Sequence, residues 1–199
     1  MSYYNFQRTL LVAPLLFGVA ACSGGGGGSA PEEAPTGPLA SFAEREAFAE
    51  EVIAQQEQVA AAGAADPADL PASASYEGGW SMSLDPGGET EIVGGSVALE
   101  ADFEGGTLGG TMEQQILAGA DGTLSIENGT VSGAQLAGDV RGSLDDPDGG
   151  SIDVATDLDG FVSDTGAQGT MSGTATRGGD TVSAQGAFGA ELVLGIVFE

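Results

Sequence analysis

The chain contains no lysine and no histidine, one cysteine, and four arginines against 30 acidic residues, a formal charge of −26 in 199 residues. Each scarcity removes a class of chemistry. Without histidine or lysine there is no ordinary proton shuttle near neutral pH, no Schiff-base nucleophile and no imidazole metal ligand. A lone cysteine cannot close an intramolecular disulfide. Four cations in so negative a field leave nothing to pack against phosphates, which excludes nucleic acid as a partner. Carboxylate pairs are plentiful, so glycosidase-like acid/base work has its residue types, but their abundance makes no one pair informative. The reading is therefore not an enzyme, with no catalytic residue, no cofactor and no metal assigned. Long apolar runs are also missing: Thr9 to Phe17 falls short of the roughly 20 residues that cross a bilayer.

What the chain does have begins with Arg8, the short apolar stretch after it, and Val19-Ala20-Ala21 directly before Cys22. This is the layout of a cleaved export signal, with a positive n-region, a brief h-region and small residues at the cut. Val19 to Cys22 resembles the lipobox of bacterial prolipoproteins, which implies cleavage after Ala21 and a mature chain beginning at a lipidated Cys22. A buried free cysteine in a cytosolic protein, or an unpaired one in an ordinary secreted protein, is the plainer alternative. Acylation removes the liability of a free thiol in an oxidising compartment, and two or three acyl chains hold a domain on a membrane stably where one would not. The resemblance thus implies the membrane as a partner through an N-terminal lipid anchor, with Ser23 consistent with sorting to the outer membrane. Removing residues 1–21 takes away Arg8 and no acid, so the mature chain is more acidic still. Solubility in salty surroundings accounts for such a charge, and a cationic partner is the sharper reading.

Residues 22–40 read as the lipidated cysteine and a disordered tether, since Ser23 to Pro38 holds only Gly, Ser, Pro, Ala and Glu with one Thr and nothing apolar enough to bury. A helix is expected over residues 41–63. Ser41 and Glu44 form an S-x-x-E capping box and Gly63 offers a stop before Asp66-Pro67. At 100° per residue Phe42, Phe48, Ala49, Val52, Ile53, Val59 and Ala60 share one half of that helix, opposite Glu44, Glu50, Glu51 and Glu57. Its apolar side is expected to pack on the domain behind it. Interfacial helices carry basic polar faces, and this one is acidic.

From residue 72 to 199 the texture changes to short alternating runs broken by Gly, Asp and Asn. Nine strand-like runs can be read, near residues 76–84, 96–103, 107–117, 122–127, 130–144, 151–158, 168–176, 181–188 and 192–198, one of them readable as a bent continuation of its neighbour. Leu136, Val140 and Leu144 alternate in register with Gly138 and Gly142, while Ala137, Asp139, Arg141 and Ser143 take the other face. Glu104-Gly105-Gly106 and Arg177-Gly178-Gly179 are hairpin turns by composition. Phrases such as Thr107-Leu108-Gly109-Gly110, Thr130-Val131-Ser132-Gly133 and Thr170-Met171-Ser172-Gly173 recur at unequal spacing, which argues against a solenoid or propeller. The expected fold is all-β: an antiparallel up-and-down barrel of eight strands, up to nine, preceded by one amphipathic helix and the tether, because closure removes exposed edges. Tyr76, Trp80, Phe103, Phe161, Phe188 and Phe198 are expected to supply much of its core. Of these, Tyr76, Trp80, Phe103, Phe188 and Phe198 are the residues that would line a ligand if one entered the barrel.

Three stretches carry a family resemblance: Val97 to Phe103 leading through Gly105-Gly106 into Thr107-Leu108-Gly109-Gly110; Gly129 to Gly133 followed by Leu136 to Val140; and Gly186-Ala187-Phe188-Gly189-Ala190-Glu191-Leu192 with Gly195 and Phe198. Together they resemble the β-barrel domain of the transferrin-binding protein B group of surface lipoproteins, including its solute-binding members, over residues 76–199. The terminal phrase departs from the family by a missing proline and a missing glycine. The resemblance implies an eight-stranded soluble barrel on a lipid anchor at the outer membrane, reaching its outer face in some members, and acting as a non-enzymatic binding module for a solute or partner protein. A structural envelope lipoprotein without a small-molecule ligand is the alternative. Gly78-Gly79-Trp80 also resembles the G-x-W of lipocalins, which carry hydrophobic ligands, although Trp80 alternates with Tyr76, Met82 and Leu84 as any core aromatic would. A membrane-spanning barrel lacks support, since no aromatic girdles appear. Asp145 to Gly149 and Asp157 to Gly160 with Asp164 lack the spaced ligands that a calcium loop needs.

Finally, Leu192, Leu194, Ile196 and Phe198 share one face of the closing run, with Val193 and Val197 on the other. An exterior that apolar needs cover, and the helix has the spare face to provide it. Phe48, Val52 or Val59 is expected to pack on the outside of the closing strand or across an open end.

Overall fold

A computed structural model describes residues 39, 41–85, 90–116, 121–146 and 150–193. One helix, α1 (Phe42–Ala62), precedes eight strands: β1 (Ser73–Asp85), β2 (Glu91–Asp102), β3 (Thr107–Gln114), β4 (Gly122–Ser132), β5 (Gln135–Asp146), β6 (Gly150–Val162), β7 (Gly166–Arg177) and β8 (Asp180–Val193). Every strand pairs antiparallel with its sequence neighbours, and β8 pairs with β1 to close the barrel.

The nine expected runs become eight because the last two join, and one boundary between neighbouring strands also moves. The gap between residues 127 and 130 is no turn: Glu127 pairs with Asp139 and Thr130 with Ala137, so Asn128 and Gly129 form a bulge inside β4. The chain turns later, at Gly133-Ala134, and the run near 130–144 is thereby divided between β4 and β5. At the other end Leu192 continues β8, joining the last two runs across Gly189. At residues 177–180 the turn follows its composition: Arg177 pairs with Asp180 across Gly178 and Gly179, both at positive φ as a two-residue hairpin loop demands.

The stagger of the barrel determines its bore. Pairing partners lead from Asp102 on β2 through Thr107, Thr130, Ala137, Asp159, Thr170, Ala187 and Ser81 back to β2 at Gly94, eight residues from the start. Eight strands staggered by eight residues tilt about 36° to the axis, a narrow geometry whose interior side chains can fill. Inward positions accordingly carry Trp80, Met82, Leu84, Val97, Leu99, Met112, Leu124, Val140, Leu158, Met171 and Phe188, each at most 2% exposed. The core is mostly aliphatic. Phe161 lies on the outward phase of β6 and is only half-buried, contrary to its expected place inside.

Both barrel ends are crossed. Beyond Gly63 the chain passes over the end where β1 begins: Ala65 N donates to Val162 O at 2.9 Å, Leu70 packs on the core, and Phe103 N donates to Ala72 O at 2.9 Å. At the opposite end Arg177 on β7 reaches Glu91 on β2, with a 2.7 Å contact between Nη2 and Oε2, although β8 and β1 lie between those strands. Both side chains remain partly exposed, so this pair contributes less than about 1 kcal/mol.

Helix α1 starts on its capping box, with Glu44 N donating to Ser41 Oγ at 3.3 Å and Ser41 N donating to Glu44 Oε2 at 2.8 Å. It lies along the outside of the barrel over β8, β1, β7 and β2. Phe48, Val52 and Val59 are its buried residues. They rest on glycines: a methyl carbon added at Gly79 would lie 3.0 Å from Val52 Cγ2, one at Gly166 3.2 Å from Val59 Cγ2, and one at Gly189 2.9 Å from the Gln56 backbone nitrogen. Ile92 and Ile116 complete this apolar seat, and Gln56 Nε2 donates to Gly169 O at 3.1 Å. The expected half-circumference stripe is narrower than read. Phe42 and Ile53 remain more than 40% exposed, with Arg45 over the Phe42 ring. The covered part of β8 also differs from the expectation. The helix sits over Gly189, whereas Val193 is 39% exposed, and Leu194, Ile196, Val197 and Phe198 lie outside the described residues.

Tyr76 supplies a pH-dependent contribution. It is 2% exposed, and burial pushes its phenol above the ordinary value of 10.0. The folded state therefore holds that proton more tightly than the unfolded chain. The associated stability is complete below pH 10 and is lost as pH rises through the folded value. Tyr76 is the only tyrosine of residues 22–199, so an alkaline absorbance titration of that chain reads it alone. The expected result is phenolate appearing late and together with unfolding. Ionisation at the ordinary value without loss of structure would contradict it.

Candidate functional site

The barrel interior is the first place to seek a ligand, and large side chains occupy its waist. Trp80 and Phe188, cross-strand neighbours on β1 and β8, are fully buried. Beside them stand inward positions without side chains. Gly95 pairs with Trp80 on the β2 side, and the indole Nε1–H donates to Glu113 O at 3.2 Å. Gly169 pairs with Phe188, and a methyl carbon there would lie 2.5 Å from the phenyl ring. Large residues are thus set against glycines, the jigsaw arrangement of a packed core. Gln114, inward beside Gly95, accepts Gly94 N at 2.8 Å through Oε1.

The expected site residues therefore separate. Tyr76, Trp80 and Phe188 lie in the core, and Phe103 stands half-buried in the β2–β3 turn against one end of it. Cys22, Ala21 and Phe198 lie outside the described residues.

On the outer wall, across β4, β5 and β6, lies an open depression of about 230 Å³ lined by Asn128, Thr130, Ala137, Asp139, Asp157 and Asp159 among others. The bulge creates it. Two β4 residues, Asn128 and Gly129, stand where the facing strand has only Gly138, and Asn128 adopts φ 50°. Its Nδ2 donates to Asp139 Oδ2 at 2.8 Å. Arg141, two residues along β5, holds the carboxylates from the same face: Nη2 lies 3.2 Å from Asp139 Oδ1 and 3.8 Å from Asp157 Oδ1. Its Nη1 donates to the carbonyls of Thr156 at 2.7 Å and Val140 at 3.1 Å. The cross-strand Asp139–Asp157 pair is thus bridged by one guanidinium instead of being left to repel.

This group holds no serine, cysteine or threonine set against a neighbouring base. Among the described residues no set of three or more His, Cys, Asp or Glu is placed to hold a metal ion. The depression was not visible as a site in the sequence. Asn128-Gly129 reads there as a strand break, and only the β5–β6 register brings Asp139 opposite Asp157. No family model, no curated protein and no solved structure matches the chain.

Proposed function

We propose that this chain is a lipid-anchored envelope protein whose barrel serves as a rigid, non-enzymatic module that engages a partner through its outer wall and rims. This is the mode of action implied by the resemblance to the transferrin-binding protein B group. The observation that carries the reading is the packed waist: with Trp80 and Phe188 fully buried and set against glycines, recognition falls to outward-facing residues. The surplus of carboxylates favours a cationic partner surface, drawn in by long-range attraction that weakens with salt. Anchoring rests on Cys22, where two or more acyl chains would hold the acidic domain against the repulsion of an anionic bilayer.

Metabolic labelling with an alkyne analogue of palmitate tests the anchor. The native chain is expected to take up label and partition with outer membranes, while Cys22→Ser yields an unlabelled, uncleaved or soluble form. Label persisting in Cys22→Ser would refute the lipid anchor.

A further inference from the structure

The bulge in β4 joins two residues whose chemistry goes beyond shape. Position 128 takes φ 50°, a conformation most side chains avoid and asparagine tolerates better than most. At position 129 an added methyl group would collide with the Leu108 carbonyl oxygen, so only glycine fits. The fold thus requires glycine at 129 and suits asparagine, one of the few residues at ease with a positive φ, at 128. That pair places a carboxamide carbon next to a backbone nitrogen unshielded by a β-carbon. Asn128 is exposed, and its bulge has no side chain facing it from Gly138.

We propose that Asn128-Gly129 is a self-modifying site, at which the folded protein slowly converts its asparagine into aspartate and isoaspartate. The Gly129 nitrogen gives its proton to water and bonds to Asn128 Cγ. The Cγ–Nδ2 bond breaks, and the nitrogen leaves as ammonia after gaining a proton from water. One water molecule then opens the succinimide ring. Attack at Cγ gives aspartate, and attack at the main-chain carbonyl gives isoaspartate with an extra methylene in the backbone. No oxidant, metal or second protein takes part.

The surroundings hold the amide by one exposed hydrogen bond and set the product carboxylate against its neighbours. The hydrogen bond from Asn128 Nδ2 to Asp139 is solvent-exposed and holds the amide only weakly. Once the amide is a carboxylate that bond is lost and replaced by repulsion from Asp139 and Asp157, with Arg141 as the cation they would share. Conversion therefore raises the negative charge of the depression and loosens the bulge.

Asn128 is the only asparagine of residues 22–199, which makes the test clean. The folded protein is incubated in neutral and in mildly alkaline buffer, followed by peptide mapping at residue 128, isoaspartate detection and assay of released ammonia. Both products are expected at 128, forming several-fold faster in the alkaline buffer and accompanied by ammonia. Asp-Gly pairs such as Asp121-Gly122 also form isoaspartate, but they release none. A form co-migrating with the Asn128→Asp variant should accumulate in step. Asn128 persisting in the folded protein while the urea-unfolded chain converts would overturn the proposal and show that the sheet protects the pair.

Discussion

Trp80→Ala is expected to cost about 3–5 kcal/mol of folding stability, the range for truncating a buried large aromatic. The upper half of that range is favoured by what surrounds the indole. Trp80 is fully buried, and its partner on β2 is Gly95, where even one added carbon would collide with the Glu113 carbonyl oxygen. Nothing on that strand can grow into the space. The substitution also leaves Glu113 O without the indole proton that it accepts at 3.2 Å. At roughly 2–4 °C per kcal/mol for a domain of this size, the melting temperature should fall by about 10 °C or more. Thermal or urea unfolding followed by circular dichroism measures it. A loss under about 1 kcal/mol would mean that the barrel interior is loose enough to collapse around the gap.

Val52→Asp should have the next largest effect, with a different ceiling. Val52 is 2% exposed and pressed on Gly79, so a carboxylate there would be desolvated without a partner. The protein has an escape that the core lacks: α1 can lift away. The loss is therefore capped at the docking energy of the helix, in which burial of Phe48, Val52 and Val59 supplies about 1.5–3 kcal/mol each, offset by the entropy of ordering the segment. A lower melting temperature, increased binding of a hydrophobic dye and an unchanged strand signal in circular dichroism are expected. An unaltered melting curve would show that the helix adds no stability and serves another purpose.

The two variants mark how far the sequence speaks for the structure. Alternation in Trp80, Met82 and Leu84, or in Leu136, Val140 and Leu144, identifies inward faces because the period of a strand is strict. The capping box at Ser41 and Glu44 and the stop at Gly63 define α1 just as directly. Closure is legible too, since so many short strands without a covering layer would otherwise expose their edges. Other features are collective. A bulge and a turn have the same local composition, so Asn128-Gly129 and Gly133-Ala134 exchange roles between sequence and structure. Helix amphipathicity overstates contact, because a helix on a convex wall touches along a stripe narrower than its apolar arc, which leaves Phe42 and Ile53 outside it. The glycine seat at Gly79, Gly166 and Gly189 comes from three different strands. The depression around Asn128, Asp139 and Arg141 needs the register of β4, β5 and β6, which no single segment contains. The lipid anchor proposed at Cys22 is the reverse case, resting wholly on a local motif.

The proposed role requires a barrel whose interior is filled by side chains, so that a partner is met only from outside. Trp80 reports on that directly, because it is the only tryptophan in the chain and stands at the filled waist. Its fluorescence should be followed while the folded protein is titrated with long-chain fatty acids, retinoids and a neutral quencher. The account predicts emission typical of a buried indole, weak quenching, and no saturable change with any apolar ligand. A saturable shift or quench at stoichiometric ligand would contradict it and make the barrel a container.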